Sequence, residues 1–167
     1  CSAGYYANVV IKATSCTACE AGKYGDQDLQ VDSSACKDCA AGKYSSAKGV
    51  ASSDGCNDCS PGKYSTTNSG NDDEDKCIHC AANTYNADQG RNESCYSCEE
   101  GTTSSVGSTV CTSCDAGQYL TLDDSSTNKV CKDCIAGKIS TYGSTSCTNC
   151  SAGYYANVVI KATSCTA

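Results

Sequence analysis

The sequence predicts a small disulfide-rich tandem-repeat protein: an elongated rod of nine short, irregular β-hairpin and loop modules, with little regular secondary structure and no helix. Three observations carry this. Cysteine supplies 18 of 167 residues, while Met, Trp and Phe are absent and Pro occurs once. Cys-x-x-Cys doublets recur along the whole chain, and after the second cysteine of each comes one recurring phrase. A chain of this length ordinarily buries one sizeable apolar core. Here the apolar residues are mostly Ala, Val, Cys and Tyr scattered among Ser, Thr, Gly and Asp, so something other than burial must hold the fold. Cysteine above about 8–10 % marks a disulfide scaffold, which persists where thiols are not kept reduced. The expected location is therefore extracellular or at the cell surface.

The doublets are 16/19, 36/39, 56/59, 77/80, 95/98, 111/114, 131/134 and 147/150, leaving Cys1 and Cys165 outside. The phrase reads CSAGYY from Cys1, CEAGKY from Cys19, CAAGKY from Cys39, CSPGKY from Cys59 and CAANTY from Cys80. It continues as CEEGTT from Cys98, CDAGQY from Cys114, CIAGKI from Cys134 and CSAGYY from Cys150. Modules are thus assigned to 1–18, 19–38, 39–58, 59–79, 80–97, 98–113, 114–133, 134–149 and 150–167. Each would touch only its neighbours, so that stability adds along the chain.

Within a module, Gly stands three places after the leading cysteine in eight cases (Gly4, Gly22, Gly42, Gly62, Gly101, Gly117, Gly137, Gly153), and Asn83 replaces it once. Gly and Asn are the residues that most readily take positive φ, so this position is read as a left-handed turn. Two places on, Tyr recurs in seven modules (Tyr6, Tyr24, Tyr44, Tyr64, Tyr85, Tyr119, Tyr155). Its ring can cover a disulfide and a neighbouring strand while the hydroxyl stays wet. The remaining loop residues are Ser, Thr, Gly, Asn and Asp, which favour turns and short hairpins.

A longer period overlies the modules. Residues 150–167 repeat residues 1–18 letter for letter, at an offset of 149 residues, which is eight modules. The reading is a tandem array with a 149-residue unit, of which this chain is a segment whose true ends lie elsewhere. It predicts a cysteine after Ala167, matching Cys19, and residues resembling Cys147-Thr148-Asn149 before Cys1.

Three chemistries compete for the doublets. Paired doublets are what a Cys₄ zinc site presents. A disulfide within each doublet is the redox-enzyme arrangement, which needs a lowered thiol pKa. The third reading joins the second cysteine of one doublet to the first of the next: Cys1–Cys16, Cys19–Cys36, Cys39–Cys56, Cys59–Cys77, Cys80–Cys95, Cys98–Cys111, Cys114–Cys131, Cys134–Cys147 and Cys150–Cys165. It uses all 18 cysteines, whereas pairing within doublets orphans Cys1 and Cys165. Spacing alone does not decide connectivity.

The combination of C-x-A-G-x-Y, about ten polar residues and C-x-x-C resembles the ephrin-receptor-like cysteine-rich repeat, and is similar to the first half-module of tumour necrosis factor receptor repeats. It also looks like the Cys-x-x-Cys-rich surface proteins of protists. The resemblance spans the chain and implies small β-poor modules with the loop-closing pairing above. The interlocked second half-module of the receptors is missing here, so their cytokine binding does not carry over. Fold transfers better than function in such repeats.

Other functional classes find little support. A net charge of −7 with no basic stripe lacks the footprint of a nucleic-acid binder. The longest strongly apolar stretch, Val9-Val10-Ile11, is far short of the roughly 18–20 residues that span a bilayer. The single histidine, His79, is read as an exposed loop residue in preference to a metal ligand. No catalytic residue, cofactor or metal site is assigned, because oxidised cysteines leave no base near neutrality to activate a nucleophile. Asp26, Asp28, Asp32, Asp72-Asp73-Glu74-Asp75 and Asp123-Asp124 could gather oxygens around Ca²⁺, but neither EF-hand spacing nor a repeated acidic ligand set is present. Asn92-Glu93-Ser94 and Asn149-Cys150-Ser151 are N-glycosylation sequons, the second interrupted by a cysteine. The functional expectation is a structural segment of a long extracellular filament or surface coat, partnered by copies of itself or neighbouring repeats and bearing glycans. The alternative is a receptor or surface-antigen ectodomain that binds a protein ligand.

Overall fold

A computed structural model describes residues 1–7, 15–125 and 128–167; the stretch Val9-Val10-Ile11 lies outside them. The chain divides into two compact units, one of Cys1–Cys80 with Asn86–Cys95, the other of Ala81–Tyr85 with Tyr96–Ala167. Among the described residues there are nine two-stranded antiparallel hairpins and no α-helix.

In the first unit Tyr5–Ala7 pairs with Cys16–Ala18, Lys23–Tyr24 with Lys37–Asp38, Lys43–Tyr44 with Asn57–Asp58, and Lys63–Tyr64 with Ile78–His79. In the second, Thr84–Tyr85 pairs with Tyr96–Ser97, Thr102–Thr103 with Thr112–Ser113, and Gln118–Leu122 with Lys129–Asp133. Lys138–Ile139 with Thr148–Asn149 and Tyr155–Ala156 with Cys165–Thr166 complete it. Most strands are two residues long because a small polar residue follows the tyrosine, and such residues are poor strand formers. The seventh module is the exception: Gln118-Tyr119-Leu120-Thr121-Leu122 is a run of strand formers and extends the hairpin to five pairs.

Three short 3₁₀ turns, Ser33–Ala35, Ser53–Gly55 and Glu74–Lys76, bring the chain back to the closing cysteine. Asp32 and Asp73 cap two of them, their carboxylates accepting from Ser34 N at 2.7 Å and Asp75 N at 3.1 Å. This is the local side-chain bonding for which Asp is favoured at turn starts.

Nine disulfides lie in series: Cys1–Cys16, Cys19–Cys36, Cys39–Cys56, Cys59–Cys77, Cys80–Cys95, Cys98–Cys111, Cys114–Cys131, Cys134–Cys147 and Cys150–Cys165. Their sulfurs form the core. Cys19, Cys39, Cys59, Cys80, Cys114 and Cys134 are at most 1 % exposed, and among the described residues the buried apolar ones beside cysteine are Ala7, Leu120 and Ala162. A loop of about 15 residues closed by a disulfide is constrained by roughly 3 kcal/mol in the unfolded state, so local staples take the place of an apolar centre.

The glycine three places after each leading cysteine is left-handed, with φ between 78° and 87°, and Asn83 takes the same region at 65°. Tyr6, Tyr24, Tyr44, Tyr64, Tyr85 and Tyr119 are half-buried.

One expectation is corrected. Modules do not touch only their neighbours. A Cβ added at Gly4 would fall 2.2 Å from the carbonyl oxygen of Gly49, two modules on. Gly22 meets Asn71 in the same way, Gly42 meets Gly90, and Gly117 meets Lys161. The reason is loop reach. The turn residue near the loop apex, about ten places after the leading cysteine, extends past the adjoining module and lays its carbonyl on the glycine beyond.

Candidate functional site

The recurring feature that the fold builds is a seat between modules, assembled from backbone groups. In the first unit the amide of a leading cysteine donates to the carbonyl of the turn glycine in the module before: Cys19 to Gly4, Cys39 to Gly22, Cys59 to Gly42 and Cys80 to Gly62, each at 2.8 Å. The amide of that glycine donates forward to the residue after the next module's tyrosine, or after Ile139 in the eighth module: Gly4 to Gly25, Gly22 to Ser45, Gly42 to Ser65 and Gly117 to Ser140, at 2.7–3.1 Å. The amide of the post-tyrosine residue then donates to the next loop, Ala7 to Gln30, Gly25 to Val50 and Ser45 to Asn71, each at 2.9 Å. Buried backbone groups must be paired, and this lattice pairs them without a continuous sheet.

The seat dictates side chains. A Cβ on Gly25 would sit 3.2 Å from Cys19 Sγ and 3.3 Å from Gly4 N, so the post-tyrosine position has room only for small groups in a tightly covered module. Ala7, Ser45, Ser65, Asn86 and Ser140 are buried there, and Leu120, whose preceding-module glycine Gly101 is less tightly covered, is the larger exception. Ser140 Oγ donates to Gln118 O at 2.7 Å, and Asn86 Nδ2 to Lys63 O at 2.8 Å, whereas Ser45 Oγ has no partner.

A second left-handed position lies near the loop apex: Leu29, Gly49, Gly70, Gly90, Gly107, Gly143 and Lys161, with φ between 56° and 73°. The amides of Leu29, Gly49, Gly90 and Gly143 donate back to the leading cysteine carbonyl of the preceding module, Cys1, Cys19, Cys59 and Cys114 respectively, at 2.8–2.9 Å. Neither this position nor the small post-tyrosine residue was singled out from sequence. Aligning the nine phrases one residue past the tyrosine shows the second signal.

Charged pairs run along the hairpins. Lys23 bonds Asp38 at 2.7 Å and Lys43 bonds Asp58 at 2.6 Å, the acid in each case standing just before the next cysteine; Gln118 meets Asp133 there at 2.7 Å. His79 occupies that place in the fourth module, exposed at the end of a strand and not in a loop, and Lys63 turns instead to Glu74 at 3.0 Å. The Lys63 ammonium, with a hydrogen bond from Ser60, holds Glu74 below its ordinary carboxylate range. Lys37 does the same to Asp26 at 2.7 Å.

Asp28, Asp123 and Asp124 also have protein partners. Asp28 accepts from Ala3 N at 2.8 Å, Asp124 pairs with Lys132 at 2.9 Å, and Asp123 accepts from Ser125 Oγ at 2.6 Å. Among the described residues no three His, Cys, Asp or Glu side chains converge on a point where an ion would sit. Asn92 is exposed, with Arg91 donating to the carbonyl of Ser94 at 2.6 and 2.8 Å. Asn149 is exposed on a hairpin strand, next to Cys150 in its disulfide with Cys165.

No protein-family model matches the chain, and no curated protein matches it.

Proposed function

We propose that this chain is a structural segment of a long extracellular filament or surface-coat protein assembled from tandem 149-residue units, serving extension, spacing or adhesion without catalysis. The observation that carries the reading is the identity of residues 150–167 with residues 1–18. A receptor needs one distinctive ligand-facing surface and gains little from copying eight modules, whereas a filament lengthens by such copying. The seat geometry is in keeping with this, since every contact that defines it is made between module and module. Cysteines held in nine disulfides support an oxidising, extracellular location. The likeness to ephrin-receptor-like repeats supports the module type alone, and exposed Asn92 is the proposed glycan site.

Electron microscopy of the native, unreduced protein tests the proposal. Unbranched fibres with an axial repeat matching eight modules are expected. Short isolated rods or membrane-attached stalks would overturn it in favour of a receptor or antigen ectodomain.

A further inference from the structure

The chain contains its own control, because one module sequence occurs twice in different surroundings. In its first copy, Gly4 is buried under the Gly49 carbonyl and the Tyr5 ring lies against Gly49, whose Cβ, if it had one, would be 2.8 Å from the Tyr5 hydroxyl. In its second copy, Gly153 has nothing within 4 Å of the same point. The tyrosines follow: Tyr5 is 37 % exposed against 53 % for Tyr154, and half-buried Tyr6 corresponds to Tyr155 at 60 %. Gly137, in the module before, is equally open. Both open seats lie in the modules for which residues 1–167 include no module two places further on.

The complementary loop is also present and unseated. Leu29 holds the left-handed apex position at φ 59°, an uncommon place for a branched aliphatic residue, yet its side chain is 79 % exposed and Val31 beside it is 52 % exposed. Its counterparts Gly49, Gly90, Gly143 and Lys161 lay their carbonyls on or near Gly4, Gly42, Gly101 and Gly117. Counting back two modules at the 149-residue period, the glycine that would receive Leu29 is Gly137, which carries exposed Ile135 on its flank.

We propose that Gly137, Gly153, Tyr154 and Tyr155 form a docking face for the next 149-residue unit, whose second-module loop, of Leu29 type, covers Gly137 and whose third-module loop, of Gly49 type, covers Gly153. The proposal rests on the tandem-unit reading. Its occupant is fixed by continuity with an interface already made in the chain: Gly4 and Tyr5 show what an identical sequence does when the loop is there. The exposed Val158, Val159 and Ile160 stand near this face in sequence.

The test compares the 167-residue chain with the same chain extended after Ala167 by a copy of residues 19–58. Hydroxyl-radical footprinting uses the tryptic peptide ending at Lys161, which differs from its counterpart ending at Lys12, and fragment-ion assignment separates Tyr154 and Tyr155 from Tyr142 in the same peptide. Their reactivity is expected to fall in the extended chain to the levels of Tyr5 and Tyr6. Unchanged reactivity in a folded, fully oxidised extended chain would overturn the proposal. In addition, Gly153→Ala, whose left-handed strain is common to both chains, is expected to raise reactivity more in the extended chain than in the parent; equal effects in both would also overturn it. Protection without fibres under the microscope would keep the docking face and sink the filament, while fibres with reactive tyrosines would do the reverse.

Discussion

The carbonyl of Gly90 stands where the β-carbon of residue 42 would be: a Cβ built on Gly42 would lie 2.1 Å from that oxygen. Gly42 and Gly137 share nearly the same backbone, φ 80° and 79°, but Gly137 has open space at the corresponding point. Substituting each by alanine therefore separates conformational strain from steric exclusion. Gly137→Ala should cost about 1–2 kcal/mol, the left-handed penalty of an L-residue. Gly42→Ala should cost that and a backbone displacement besides, seen as a larger loss of amide hydrogen-exchange protection at Ser65 and Gly90. Equal losses would show that the loop does not press on the glycine.

The buried serines after Tyr44 and Ile139 differ in what their hydroxyls do. Ser45 Oγ is buried without a partner, and Ser140 Oγ donates to a backbone carbonyl. Ser45→Ala should be neutral or slightly stabilising, because it removes an unsatisfied polar atom, while Ser140→Ala should cost about 1 kcal/mol. Thermal unfolding of the oxidised variants measures both.

Acid should weaken specific ion pairs before it affects the disulfide framework. Glu74 is held below its ordinary range chiefly by its hydrogen bond from Lys63, and Asp26 by that from Lys37. A carboxyl whose folded pKa is depressed contributes stability that is present above its unfolded pKa and lost as pH falls through the folded value. The contribution of both should therefore disappear below the ordinary carboxylate range. Carbon-detected titration of the side chains should find Glu74 shifted low, and Lys63→Met should return it upward without moving Asp26.

Burial orders the disulfides toward reduction, since exchange requires access of a thiolate to sulfur. Cys39 and Cys56 are 0 % and 3 % exposed, whereas Cys16 is exposed and Cys1, Cys150 and Cys165 are half-buried. Limiting reductant followed by alkylation and mass mapping should open Cys1–Cys16 and Cys150–Cys165 before Cys39–Cys56. Removing an interior bridge, as in Cys59→Ala with Cys77→Ala, should cost roughly 2–5 kcal/mol.

What the sequence made legible is what each module does by itself. The turn glycine is written as a glycine because its φ near 80° demands one, and the hairpin is written as a tyrosine phrase opposite a doublet. What lies between modules was harder to see. Contacts two modules away are made by main-chain atoms, Gly49 O on Gly4 for example, and carbonyls leave no letter in the sequence. The small residue after the tyrosine was visible as a column of Gly, Ser, Ala and Asn broken by Leu120, but such residues are equally frequent in exposed loops, and only the 3.2 Å approach of Cys19 Sγ to a Cβ at Gly25 explains the choice. Leu29 and Lys161 conceal the loop-apex position, because neither advertises a left-handed turn as Gly49 and Gly90 do.

A module that meets the module two places on makes the size of a genetic duplication matter. Copying one module inserts an unfamiliar pair at two seats, since the modules on either side of the insertion must each accept a loop they never met before. Copying eight at once, in an array already built of eight-module units, recreates across the junction only pairings that the array already contains. Unequal crossing-over in such a gene would then be filtered by fit at the protein level, and the survivors would be whole units. On the tandem-unit reading, the letter-for-letter return of residues 1–18 at 150–167 is what such a filter would leave.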